Sequence, residues 1–137
     1  MNRSDFIELA RLRIQEAQVL LANEKPEGAY YLCGYAVECA LKACIARQTK
    51  EHDFPDKKIV DQSYSHNLVK LVGVGRLETA LESRIRSDPT FNTHWSIVKD
   101  WSEQSRYERH SSEQAHNLYT AVTCKDHGIL QWLEHYW

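Results

Sequence analysis

Apolar positions recur along most of this chain every three to four residues, the spacing of amphipathic helices. One stretch departs from that rhythm. Residues 27–47, EGAYYLCGYAVECALKACIAR, are apolar or small at almost every position. The run is long enough for about five helical turns. A helix apolar around most of its circumference is a central helix, covered on several sides. One polar line breaks it: Tyr31, Tyr35, Glu38 and Lys42 fall within about a 60° arc. A carboxylate on a buried helix needs a partner. The identity of that partner is the question that leads toward function.

The flanking pattern completes an all-α bundle. Residues 4–23 form a first helix with Phe6, Leu9, Ala10, Arg13, Ala17, Leu20 and Leu21 on one face. The break at residues 23–26 ends it, and Pro26 suits the first turn of the central helix, which runs to about Gln48. A connection this short implies antiparallel neighbours. Residues 49–64 are polar, contain Pro55, and are expected to form a loop. Residues 65–72 are expected to form a short helix with Leu68, Leu71 and Val72 inward. Gly73 and Gly75 interrupt, and residues 76–86 are amphipathic through Leu77, Leu81 and Ile85. Asp88-Pro89 is a cap followed by Pro at the first helical position. Phe91, Trp95, Val98 and Trp101 then carry that helix to about Glu103. A polar break, SEQSRYERH, spans residues 102–110. Ser111-x-x-Gln114 has capping-box spacing and opens a last helix to residue 135, packed antiparallel to the central one. Gly128 is a weak point in it. The expected architecture is an up-and-down bundle of four main helices plus one or two short ones, in a single domain over residues 1–137.

Composition changes this picture little. The chain of 137 residues is 42% hydrophobic and 26% charged, as in ordinary globular domains. A net charge of −2 does not advertise nucleic-acid binding by global charge. Cys33, Cys39, Cys44 and Cys124 form no C-x-x-C pair, and they read as free thiols of a reducing cytoplasm. Arg3, Asp5 and Glu8 stand where a signal peptide needs an apolar core. Glu38 and Lys42 would sit near mid-bilayer if residues 27–47 crossed a membrane, so no membrane is expected.

Several chemistries drop out. Gly73-Val-Gly75 lacks the pattern of a phosphate loop. The seven His show no His-x-x-x-His pair, so no metal is expected, and no cofactor motif is present. No Ser lies in a nucleophile elbow. What remains is polar residues around the central helix: Glu38, Arg106-Tyr107, His66, and Arg109, His110 and His116 near the start of the last helix. Arg106 is the expected partner of Glu38, because a guanidinium fork matches a carboxylate. Tyr31 or Tyr35 is expected to add a hydroxyl. His66 is expected to act as a helix cap or surface residue. The aromatic side chains Trp95, Trp101, Trp132, Tyr136 and Trp137 crowd the C-terminal half, as core or as an interface.

Taken in order, these pieces resemble the HEPN domain (higher eukaryotes and prokaryotes nucleotide-binding). They are Ala29-Tyr30, then Tyr35-Ala-Val-Glu38-Cys-Ala-Leu-Lys42-Ala, then Ser65-His66-Asn-Leu68 with Leu71, then Trp101 and Arg106-Tyr107. The resemblance covers roughly residues 5–135. It implies a helical bundle that forms a homodimer, with a polar cleft near the interface. It also implies pairing with a nucleotidyltransferase in prokaryotic toxin–antitoxin or defence systems. The first function it implies is a binding module for a nucleotide, RNA or that partner, with Glu38, Arg106, Tyr107, Tyr35, Lys42 and His66 as binding residues. The second is a metal-independent ribonuclease, in which four to six residues separate an Arg from a following His. Arg109 and His116 take that place here: Arg109 would steady the phosphate and His116 would move the proton. Arg47 and His52 also have the spacing. Leu118 stands where the tighter motif has Tyr two residues after the His, and Tyr119 follows it.

Overall fold

Asn2 and Asp5 open the first helix, α1 (Arg3–Ala22), by capping each other. The Asp5 amide donates to Asn2 Oδ1 at 3.0 Å, and the Asn2 amide to Asp5 Oδ2 at 2.9 Å. Two of the donors left over at any helix start are thereby satisfied. The computed structural model describes residues 1–49, 54 and 56–137, and every regular element among them is helical. Residues 23–25 make a tight turn in which Glu24 adopts φ 58°, and the Lys25 amide donates to Leu20 O at 2.9 Å. Pro26 then starts α2 (Pro26–Gln48).

Helix α2 is the centre of the bundle. Cys33, Val37, Cys39, Leu41, Ala43 and Ile45, spread over several of its sides, are all buried. Helix α1 lies antiparallel to it: Arg3 reaches the chain end at Trp137 O, Arg13 lies over the Tyr35 ring, and Leu20 packs beside Gly28. Gly34 is required by a close approach, because a Cβ there would collide with the Trp101 ring. Burial pushes the thiols of Cys33 and Cys44 up to about 12 and that of Cys39 up to about 11, which keeps all three protonated near neutral pH.

The middle of the chain is a set of short helices: α3 (Lys57–Ser63), α4 (Leu68–Val74), α5 (Glu78–Ser87) and α6 (Pro89–Val98). Part of the expected loop over 49–64 is therefore helical. Asp56 caps α3 by accepting from the Lys58 amide at 2.9 Å, and no residue of α3 is buried, so the helix carries no apolar period. Pro55 and His52 lie outside the described residues. Asp88 caps α6 as expected, accepting from the Phe91 amide at 3.0 Å. That helix stops at Val98, and a 3-10 helix (Glu103–Tyr107) crosses α2.

The last helix is two helices, α7 (Ser112–Thr123) and α8 (Ile129–Glu134). Cys124 leaves the helix with extended backbone, and the Gly128 amide returns to Cys124 O at 2.8 Å. A Cβ at Gly128 would meet Cys124 O at 2.5 Å, so this fold-back needs glycine. The expected antiparallel packing against α2 is also corrected. His110 stacks on Tyr30 near the start of α2, whereas Leu133 lies at Cys44 and Trp137 at Arg47 near its end. The C-terminal segment thus runs alongside α2 in the same direction, as the fourth helix of an up-and-down bundle must run with the second. Trp95, Trp101, Trp132 and Trp137 are buried, so the aromatic concentration fills the core. No helix among the described residues is long and apolar enough to cross a membrane.

Candidate functional site

Glu38 is 2% exposed and sits on the one polar line of α2. Two side chains reach its Oε1: Lys42 Nζ at 3.0 Å, one helical turn on, and His66 Nδ1 at 2.8 Å. Lys42 is placed by the helix itself, since residues four apart share a face. His66 is placed by the extended residues before α4, where Asn67 accepts from the Lys70 amide at 2.9 Å and fixes the start of the helix. Glu103 approaches from the 3-10 helix, with Oε2 at 3.4 Å from the same His66 Nδ1. Two carboxylates and an ammonium thus surround one edge of a half-exposed imidazole.

The Arg106 reading is overturned here. Arg106 is exposed, and its guanidinium lies 4.8 Å from the centre of the Tyr107 ring, also exposed. The 3-10 helix turns Ser105 inward and Arg106 outward, while Glu103 faces His66. The partners of Glu38 are Lys42 and His66, and no tyrosine hydroxyl joins them among the described residues. His66 is therefore more than a cap or surface residue. Tyr35 lies on the same line of α2; burial, with Cys39 and Glu38 adding, raises its hydroxyl above the ordinary range and keeps it protonated.

Satisfaction of these groups is incomplete. A carboxylate has roughly four acceptor positions, and buried ones are normally filled. Glu38 Oε2 is buried and accepts nothing, and Glu103 Oε2 has no hydrogen-bond partner either. Trp101 Nε1, Ser105 Oγ and His110 Nε2 are in the same condition. All of these atoms belong to α2 or to residues 101–110, the two sides of one seam.

Beside the polar knot lies a cleft of about 440 Å³. Tyr35, Glu38, Lys42 and His66 line its polar end, and Phe6, Ile45, Ile59 and Tyr64 are among its apolar walls. A mostly apolar cleft with a few convergent polar groups is the usual form of a small-molecule site. His66 donates through Nδ1 to Glu38, which sets the tautomer and leaves Nε2 open. Among the described residues no group of three or more His, Cys, Asp or Glu is arranged to hold a metal ion.

Arg109 and His116 lie elsewhere. Arg109 is 96% exposed and comes no nearer than 3.9 Å to Glu27. His116 is exposed, and its Nδ1 accompanies Ser112 O at 2.8 Å in the first turn of α7. No hydrogen bond or ion pair among the described residues joins the two to each other or to the cleft. Glu103 is the site residue that sequence reasoning missed. The sequence marks it only as the end of a helix, and a polar break after an apolar run is its sole signal. Comparison of the chain with protein-family models, with curated proteins and with solved structures finds no match.

Proposed function

We propose that this chain is a HEPN-like binding module that holds a nucleotide, free or within RNA, in the cleft of Tyr35, Glu38, Lys42 and His66. The observation that carries the reading is Glu38: a buried carboxylate on a core helix, beside a cleft, with one oxygen engaged twice and the other not at all. A purely structural role is better served by an apolar side chain, since a buried ion pair is at best weakly stabilising. The apolar walls suit a base, and the polar end suits its hydrogen-bonding edge. The HEPN resemblance adds a homodimer, and a nucleotidyltransferase as partner, to the same proposal.

Isothermal titration with ribonucleoside monophosphates tests it. Saturable binding is expected, weakened by Glu38→Gln and by His66→Ala in folded protein. Absence of binding by any of them at millimolar concentration would overturn the reading. Metal-free incubation with RNA accompanies that measurement. Intact RNA is the expected result; cleavage abolished by His116→Ala would replace the binding module with the ribonuclease. Sedimentation is expected to give twice the 16.0 kDa chain mass.

A further inference from the structure

We infer that Tyr64 is the ring on which the bound base stacks, and that the cleft therefore takes any of the four bases. The inference rests on the nucleotide-binding reading and names the residue that holds the base. Beside His66, the aromatic side chains lining the cleft are Phe6, Tyr35 and Tyr64. Phe6 and Tyr35 are partly buried against the core. The Tyr35 ring already has the Tyr31 ring at 6.0 Å and the Arg13 guanidinium at 5.9 Å. Tyr64 is 75% exposed although it lines the cleft. Among the described residues no other ring and no cation lies against it.

A single exposed ring on a protein surface is ordinary. Tyr64 differs in how it is held. It closes α3, its amide donating to Asp61 O at 3.4 Å, and Ile59 packs that helix on the core. The Ser65 amide donates to Gln62 O at 3.2 Å, and the Asn67 amide to Ser65 Oγ at 3.1 Å. Between them His66 is tied to Glu38 Oε1 at 2.8 Å. The backbone of Tyr64 thus runs between two attachments to the bundle, while its side chain keeps most of its surface open. A ring placed in this way and not used by the fold is free to take a ligand. Stacking needs only a flat π face, which every base presents. The donors beside it are equally tolerant. Lys42 Nζ keeps N–H groups beyond the one it gives Glu38, and every base carries an acceptor on its edge.

The test is isothermal titration of the unaltered protein and two variants, with the melting temperature of each. AMP, GMP, CMP and UMP are expected to bind within about tenfold of one another, purines ahead by their larger rings. Ribose 5-phosphate, which has no ring, is expected to bind about tenfold more weakly than AMP. Tyr64→Leu keeps an apolar side chain and removes the ring; it should lower AMP affinity about tenfold at an unchanged melting temperature. Tyr64→Phe is expected to bind AMP as the unaltered protein does. AMP affinity unchanged by Tyr64→Leu, or lost equally in Tyr64→Phe, overturns the stacking inference and leaves nucleotide binding standing. So does a wider spread among the four bases, or ribose 5-phosphate binding as tightly as AMP. Binding of no nucleotide by the unaltered protein overturns both.

Discussion

Glu38 meets His66 at 2.8 Å, and Asp88 meets His127 at 2.7 Å. Each carboxylate also has a basic side chain four residues away, Lys42 at 3.0 Å in one case and Arg84 at 3.2 Å in the other. The parts are the same and the outcomes differ in the second oxygen. Asp88 Oδ1 accepts from the Phe91 amide at 3.0 Å and starts α6. Glu38 Oε2 accepts from nothing. The Asp88 cluster goes on to tie the α7–α8 turn to the rest of the bundle. Arg84 donates to Asp126 O at 2.6 Å, and His94 Nδ1 lies 2.7 Å from His127 O. A carboxylate–histidine pair does not by itself mark a site. Unused acceptor capacity on a carboxylate that lines a cleft is what separates the two, and it is the feature on which the proposed site rests.

The largest expected effect breaks the packing beneath the α2 knot. Trp101 is buried with its ring against Gly34, and it precedes the 3-10 helix that brings Glu103 to His66. Trp101→Ala is expected to destabilise by about 3–5 kcal/mol, the range for deleting a large core aromatic. Gly34→Ala attacks the same contact from the other side and is expected to cost about 1–3 kcal/mol by overpacking. Denaturant unfolding checks both. Losses within about 0.5 kcal/mol would mean that the seam is not packed as described.

The next effect lies at the second cluster and is read through pH. Asp88 is held down to about 2, chiefly by its hydrogen bond from His127 and then by the Phe91 amide. A carboxyl depressed on folding contributes stability that is complete above its unfolded value and is lost as pH falls through its folded one. The contribution of Asp88 therefore disappears between about pH 4 and pH 2. Asp88→Asn is expected to lower the melting temperature at pH 7 and to flatten the decline across that window. A variant with the same acid decline as the unaltered protein would show that the clamp is not formed.

The two regions also differ in how far the sequence could show them. Helix α2 is legible because its composition leaves no exposed face, and Asp88-Pro89 is legible because cap and proline are adjacent. The polar line of α2 is read from helical geometry alone. Its partner is not, because His66 lies 28 residues away on a non-helical segment, where no period constrains it. Arg106 fits the chemistry of a carboxylate partner, but the choice depends on which way a 3-10 turn faces. Asp88 is read as a cap and not as the partner of His127, 39 residues on, for the same reason. Helix α3 escapes notice because it buries no residue fully and packs only the half-buried Ile59 on the core. The α7–α8 break rests on one glycine, whose effect depends on a fold-back that local propensity does not encode.

The smallest effects are expected at the residues outside both clusters. Arg109→Ala and His116→Ala alter exposed side chains, and each should change stability by less than about 0.5 kcal/mol. Neither is expected to change nucleotide affinity measurably in the same titration. A tenfold loss on either substitution would move the site to the start of α7.

The most direct test of the distinction between site and clamp is Glu38→Leu, with melting temperature and ribonucleoside monophosphate titration measured on the same preparation. Replacing a buried charge by an apolar group of similar volume is often neutral or stabilising by about 1–4 kcal/mol when the charge has no structural task. Lys42 and the half-exposed His66 can both turn to solvent. The predicted result is a melting temperature equal to or above that of the unaltered protein, with nucleotide binding lost. A melting temperature several degrees lower, with nucleotide binding retained, would contradict the account and make Glu38 a clamp like Asp88.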